Sequence, residues 1–254
     1  MSAAPVNIVC MRWGTRYSAD YVHRLRAGME RHLKRPFRFL CLTDQPEVLD
    51  AAIETHPFPP NPGVVGPSWP NVFLKLEMTK DGFADLHGPT MFMDLDILIM
   101  GSMDEFFTYK EGKNCIIHNW IERRKELVRG RPDIGNSSIF RFEAGKSQYI
   151  HDTFMREIEV VADRNVYPTE QAFLTHAMEE KYWWPEEWVR SFKRHCRPIF
   201  PLNLIKAPSP PPPGTKVLVF HGHPDPHDAV NGYRGKRIHH RLLPAPWVAD
   251  HWKD

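Results

Sequence analysis

Apolar residues come in short, well-separated runs along this chain. Val6–Met11 is apolar except at Asn7, the pattern of a strand buried on both faces. Arg12–Tyr17 is a polar turn around Gly14. Ser18 then offers an N-cap to a helix whose Val22, Leu25, Met29 and Leu33 recur at helical spacing. Arg38–Thr43 is a second apolar run and ends at Asp44. Strand, helix and strand in this order predict a βαβ unit, and with it a parallel sheet joined by right-handed crossovers. Residues 57–70, rich in Pro and Gly, predict a long loop, followed by a helix with Val72, Leu76 and Phe83 on one side. Thr90–Met93 predicts another buried strand, running into Asp94-Leu95-Asp96 and then the apolar Ile97–Met100. Asn114–His118 and Ser137–Phe142 predict further strands. Ile150, Phe154, Ile158 and Val161 mark an amphipathic helix, and Thr169 caps a second one. The five prolines of Ala207–Gly214 exclude regular structure, and Lys216–His221 returns as a strand. The fold class expected is α/β, a single Rossmann-like domain over residues 1–254 with a mostly parallel central sheet flanked by helices.

Charge narrows the partners. The net charge is +2 with basic and acidic residues interspersed, so the basic stripe of a nucleic-acid binder is missing and no nucleic-acid partner is expected. Cys10, Cys41, Cys115 and Cys196 form no CxxC and read as free, buried thiols of a reducing compartment. No basic, apolar leader precedes the first strand, and no apolar run nears the roughly 20 residues that span a bilayer. These features predict a cytoplasmic protein without a transmembrane segment, with peripheral membrane contact left open.

Two segments carry candidate chemistry. Asp94 and Asp96 stand one residue apart at the end of a buried strand, where a carboxylate is costly unless paired or bound to a cation. Ligands of open α/β sheets sit beyond the carboxyl ends of the strands, and hard oxygen donors there suit Mg²⁺ or Mn²⁺ beside substrate phosphates. The alternative is that Asp94 closes the strand and Asp96 is solvated. The second segment is Val217–Phe220 followed by His221-Gly222-His223-Pro224. A His at a strand end can give a metal a ring nitrogen, and a Gly lets backbone approach a phosphate. A surface turn that happens to contain histidines is the alternative. The His-x-His spacing has no cysteine nearby to make a zinc site.

Together these segments resemble the GT-A-fold glycosyltransferases, in particular the retaining group that includes glycogenin and the bacterial galactosyltransferases. Phe73-Leu74-Lys75-Leu76 resembles the family's Lys-Leu helix. Gly135-Asn136-Ser137-Ser138 resembles its Asn-Ser-Gly segment, with Ser138 in place of Gly. Pro168-Thr169-Glu170-Gln171 resembles its acidic-residue-plus-Gln helix start. The resemblance spans roughly residues 6–235. It implies a nucleotide-binding half over about residues 1–100, and an acceptor half with a C-terminal metal-binding segment over about 101–254. It further implies a metal-dependent, UDP-sugar-using hexosyltransferase acting with retention, with Mn²⁺ (or Mg²⁺) held by Asp94, Asp96 and His221. The donor would be contacted by Arg12, Trp13, Tyr17, Asp44, Lys75, Asp94, Leu95 and Gly222. Asn136, Glu170 and Gln171 would face the transferred sugar. The acceptor would be a glycan, a lipid-linked sugar or a small molecule.

Each role has a plainer counterpart. Trp13 and Tyr17 could anchor a loop, Lys75 could be solvated, Asn136 could form a turn, and Glu170 and Gln171 could be an ordinary polar first turn. The sequence also departs from the family at Asp225, which stands where the resemblance places a phosphate-contacting Lys. Lys216, Arg234, Lys236 and Arg237 are the cations offered in exchange. That departure motivates a second reading, a nucleotide-sugar-binding protein without turnover; a different enzyme class on a similar half-fold, a sugar-phosphate nucleotidyltransferase, is the other alternative, which the single Gly of Arg12–Tyr17 disfavours. Tyr182–Trp188, with three tryptophans, reads as an acceptor-stacking or interfacial segment or as core. Arg123, Arg124, Lys125, Arg129 and Arg131 read as a loop for an anionic acceptor or as a solvated charged loop.

Overall fold

A computed structural model describes residues 5–66, 68–121, 128 and 130–254. The expected βαβ opening is present: β1 (Val6–Arg12), α1 (Ala19–His32) and β2 (Phe37–Thr43), with β1 and β2 paired in parallel. There follow β3 (Glu54–His56), α2 (Leu74–Glu77), β4 (Gly88–Met93), β5 (Ile97–Ile99) and α3 (Glu105–Thr108). The second half holds β6 (Asn114–His118), β7 (Gly135–Ala144), α4 (Gln148–Arg156) and α5 (Glu170–Ala177). It continues with β8 (Lys181–Trp183), β9 (Val189–Ser191), β10 (Val217–Val219) and α6 (Pro226–Asn231).

Seven strands form the central sheet in the order β3-β2-β1-β4-β7-β6-β8. It is mostly parallel, because only β7 runs against its neighbours β4 and β6. Side chains alternate across it, as the pleat requires. Val6, Ile8 and Cys10 of β1 face one core with Met91 and Met93 of β4, covered by Tyr21, Val22, Leu25 and Met29 of α1. Val9 and Met11 face the other core with Phe92, Phe140 and Phe142, covered by α4 and α5. All four cysteines are free and buried. No helix among the described residues is long and apolar enough to cross a membrane.

A feature not expected from the sequence is a second sheet of order β5-β10-β9. β5 pairs antiparallel with β10, placing Ile97 opposite Val219. Two segments more than a hundred residues apart in sequence are thereby joined, and the Phe220 N–H donates to the Asp96 carbonyl at 3.0 Å. A third apolar cluster, including Leu98, Phe192, Leu218, Phe220 and Val248, packs under this sheet.

Two predicted helices are shorter than their periodicity suggests. Only Leu74–Glu77 is helical after the long loop, Val72 is exposed, and Phe83 lies in a separate turn entered through the left-handed Gly82. α4 stops at Arg156, although Val161 remains buried in the turns that follow.

Candidate active site

The loop after β1 and the strand end after β4 open on one side of the sheet. Arg12 is buried and braces that loop: its Nε donates to the Tyr17 carbonyl at 2.9 Å, and its guanidinium meets Gln45 Oε1 at 3.2 and 3.3 Å. Asp44 accepts the Gly14 N–H at 3.2 Å, where Gly14 has a left-handed φ of 58°. Neither side chain lines the main cavity; Asp44 borders a separate recess with Thr43 and Pro46. Both shape the loop that turns Trp13, Arg16 and Tyr17 inward.

β4 and β7 pair so that Met93 faces Ile139, and the Asp94 N–H donates to the Ser138 carbonyl at 2.8 Å. The Asn136-Ser137-Ser138 segment is therefore laid beside Asp94. Thr169 caps α5 by accepting from the Ala172 N–H, which presents Glu170 and Gln171 to the same place. Ser137 ties the two elements together. Its Oγ donates to Glu170 at 2.5 Å, and its N–H donates to Gln171 Oε1 at 3.3 Å.

Lys75 of α2 is 4% exposed, so its charge must be answered locally. Its ammonium lies 2.9 Å from Asp94, 3.0 Å from Ser137 Oγ and 3.8 Å from Glu170. Burial alone lowers its pKa, but Asp94 and Glu170 outweigh burial and the net shift is upward.

Asp96 is also buried. Desolvation and the neighbouring Asp94 carry its carboxyl up to about 6, opposed by the Gly222 N–H 3.3 Å away. The Tyr17 hydroxyl reaches the same oxygen at 3.4 Å. His221 follows β10 with φ of 20° and Gly222 with φ of 75°, so the chain turns away sharply at the strand end. Burial, then Lys193 and Arg194, hold the imidazole down at about 4, which keeps it neutral. Its Nε2 lies 2.6 Å from Ser191 Oγ, its ring stacks on Trp120, and its carbonyl accepts from Lys193 at 2.8 Å. The tautomer that donates from Nε2 to Ser191 leaves Nδ1 as a lone-pair donor.

These groups border one cavity of about 610 Å³. Of the residues predicted from sequence, Trp13, Tyr17, Lys75, Asp94, Leu95, Asp96, Asn136, Glu170, Gln171, His221 and Gly222 line it. Arg16, Asn119, Trp120 and Arg194 line it as well and were not expected. Arg194 sits on a π-helical turn after β9, and nothing in the local pattern Lys193-Arg194-His195 distinguishes it from a solvated basic stretch.

Two carboxylates and a neutral imidazole on one wall suit a hard divalent cation, and the raised Asp96 carboxyl marks a place where positive charge is wanted. The three are held meanwhile by protein partners: Asp94 by Lys75, Asp96 by Gly222, His221 by Ser191. Among the described residues, the group whose ligand atoms all lie within 4.8 Å is instead His223, Asp225 and Asp228. That group belongs to the start of α6, where Asp225 is the N-cap and its N–H donates to Asp228 at 3.0 Å.

Asp225 is thus a buried helix-cap residue, 3.6 Å from Arg16. Besides Lys75, the cations that line the cavity are Arg16 and Arg194 rather than those offered in exchange for Asp225. Lys216 pairs with Glu105 at 2.5 Å instead, and Lys236 lines a different cavity. The tryptophans of 182–188 serve packing: Trp184 is buried against Phe106, Trp188 packs on Phe106 and Tyr109, and Trp183 stacks on His118. Trp13 and Trp120 are the tryptophans that line the cavity. Arg123, Arg124, Lys125 and Arg129 lie outside the described residues. Arg131 donates to the Asn119 carbonyl at 2.7 Å and pairs with Glu186.

No family model matches the chain, and no curated protein sequence matches it. Solved structures do match. An active-site Gln-to-Glu mutant of LgtC superposes with a TM-score of 0.61 at 14% identity, over 87% of this chain and 89% of that one. The galactosyltransferase LgtC in complex with donor and acceptor sugar analogues gives 0.59 at 13%, over 87% and 88%. The bifunctional glycosyltransferase WbbM gives 0.58 at 9%, over 87% of this chain and 46% of that one. At these identities the likeness is one of architecture, and the chain has the GT-A glycosyltransferase fold.

Proposed function

We propose that the protein is a metal-dependent glycosyltransferase that moves a sugar from a nucleotide-sugar donor, UDP-linked, to an acceptor hydroxyl with retention of configuration. The observation that carries this reading is the convergence of Asp94, Asp96 and His221 with Lys75, Asn136, Glu170 and Gln171 on one cavity at the carboxyl ends of β1 and β4. The likeness to LgtC, solved with donor and acceptor sugar analogues, supports it.

In this reading Trp13 and Tyr17 flank the base and ribose, and Arg16 and Arg194 face the diphosphate. Asp94, Asp96 and His221 would hold Mn²⁺ or Mg²⁺, which when bound supplies Lewis-acid charge beside the departing nucleoside diphosphate. Lys75 fixes Asp94 and Glu170 in place, and Ser137 passes that order on to Gln171. Asn136, Glu170 and Gln171 then present amide and carboxylate groups to the sugar, orienting its anomeric carbon. Asp225 stands at the start of α6 outside the cavity lining, where Arg16 lies 3.6 Å away and answers part of a charge that still reaches Asp96 and Tyr17.

The test is donor hydrolysis across UDP- and GDP-sugars with Mn²⁺, Mg²⁺ or EDTA, with Asp94→Asn/Asp96→Asn as control. Metal-dependent release of nucleoside diphosphate, absent in the control, is the expected result. Neither binding nor turnover of any donor would overturn the proposal.

A further inference from the structure

Arg194 is a wall between two cavities. Behind the donor cavity lies a second one of about 500 Å³, within the size range of small-molecule sites. Its basic lining comes from two segments. The π-helical turn and the residue after it give Lys193, Arg194 and Arg197; the segment after α6 gives Lys236, His239 and His240. No carboxylate lines it. Among the ion pairs of the described residues, none involves Lys193, Arg194, Arg197 or Lys236. The nearest acids are Asp225 and Asp228, each 3.4 Å from His223 of the cavity wall, and Asp96 at the donor site; Asp96 and Asp225 partly offset the lowering of the Lys193 pKa.

The charges press on one another. Burial and then Arg197 lower the Lys193 pKa, and burial and then Arg194 lower that of Arg197. Lys193 and Arg197 are half-buried and Arg194 and Lys236 exposed around one hollow, donors that suit an anion able to accept several charge-assisted hydrogen bonds at once, as a phosphate can. His223 and Tyr233, whose rings stack on each other at 5.7 Å with 8° between planes, complete the lining.

We infer that this cavity is the acceptor subsite, and that the acceptor carries a phosphate group held by Arg197, Lys236 and Lys193. The inference rests on the donor reading for its role in transfer, since Arg194 sets the phosphate-bearing acceptor directly beside the donor cavity. Its binding chemistry stands independently of that reading. The phosphate has two sources to consider, a soluble sugar phosphate or the headgroup of a lipid-linked acceptor. The second is raised by exposed Ile199, Phe200, Leu202, Ile205 and Ile238 on the segments that form this end of the molecule. Asn203 joins those segments by donating to the His239 and Arg241 carbonyls at 3.2 and 2.7 Å.

The experiment is a pair of titrations on the full chain. A hexose 6-phosphate is titrated calorimetrically into wild type, Arg197→Gln/Lys236→Gln and Asp94→Asn/Asp96→Asn, and Mn²⁺-UDP is titrated into the same three proteins. Arg197→Gln/Lys236→Gln is expected to weaken the sugar phosphate at least about tenfold, the loss of two charged hydrogen bonds, while Asp94→Asn/Asp96→Asn weakens only Mn²⁺-UDP. Co-sedimentation with phosphatidic acid vesicles, against phosphatidylcholine vesicles, separates the sources. Vesicle binding lost in Arg197→Gln/Lys236→Gln assigns the phosphate to a lipid headgroup, and sugar-phosphate binding without vesicle binding assigns it to a soluble acceptor. Sugar-phosphate and vesicle binding both absent, or both indifferent to Arg197→Gln/Lys236→Gln, would overturn the inference whatever the Mn²⁺-UDP titration gives. Failure of Mn²⁺-UDP alone would overturn the donor reading and leave the anion site standing.

Discussion

Lys75 shows how much one buried charge organises. Its ammonium touches Asp94, Ser137 and Glu170, residues contributed by three separate elements. Replacing it by Met keeps the volume of the stem and removes the charge. Lys75→Met is expected to lower turnover by about 10- to 100-fold, matching the roughly 1.5–3 kcal/mol of a charge-assisted hydrogen bond. Its affinity for Mn²⁺ should hold or tighten, because the lysine competes with a cation for Asp94. Calorimetry with Mn²⁺ alone checks this, and a tenfold loss of affinity would show that the lysine builds the ligand set instead. Glu105 gives a pH-dependent case. Hydrogen bonds from Lys216 and Ser102 hold its carboxyl down at about 2. A depressed folded pKa means the stabilisation is present above the ordinary value of about 4.3 and fades as pH falls toward 2. The Glu105 side chain is 45% exposed, so solvent screens the pair and it contributes less than about 1 kcal/mol. In thermal melts, Glu105→Gln should melt below wild type at pH 6, and the gap should narrow below about pH 4 and close near pH 2.

At the level of elements, the site depends on how closely α5 lies on β7. Gly135 opens β7, and its N–H donates to Thr175 Oγ of α5 at 2.8 Å. A Cβ there would meet Ile116 Cδ1 at 2.6 Å and Thr175 Oγ at 2.9 Å. Gly135→Ala is therefore expected to cost about 1–3 kcal/mol by overpacking. It should also reduce turnover, since the same helix carries Glu170 and Gln171. A melt and a rate measured on one preparation test both, and an unchanged melting temperature would mean the contact yields freely. Sequence spacing showed the strands here well, because β4, β6 and β7 are short apolar runs between polar breaks. It misjudged α2 and α4, because apolar spacing continued into turns: Phe83 sits in a separate turn, and the segment after α4 keeps isolated bonds such as Val161 N–H to the Glu157 carbonyl without a continuous helix.

For the molecule as a whole, donor binding must be linked to stability. If the cavity binds Mn²⁺-UDP, ligand at about 100 times Kd stabilises the fold by about 2.7 kcal/mol. That corresponds to a rise of roughly 5–10 °C in Tm for a chain of this size. EDTA should abolish the rise, and Asp94→Asn/Asp96→Asn should not show it. A Tm indifferent to every nucleoside diphosphate tried with Mn²⁺ would count against the donor site.

The chain's own pattern determined the alternation of strands and helices, the parallel opening and the places where polar groups interrupt buried strands. Those features follow from local periodicity and from the cost of placing Asp94 or His221 at the end of an apolar run. Tertiary structure decided what no window of sequence contains. The pairing of β5 with β10 brought Gly222 onto Asp96 and His221 to the same cavity. Burial on all sides made Lys75 a partner of two carboxylates rather than a solvated lysine, and Arg12 and Asp44 supports of a loop rather than its working face. Arg194 entered the site, and Asp225 left it for a helix cap, because neighbours in space and not in sequence set the charge that each side chain meets.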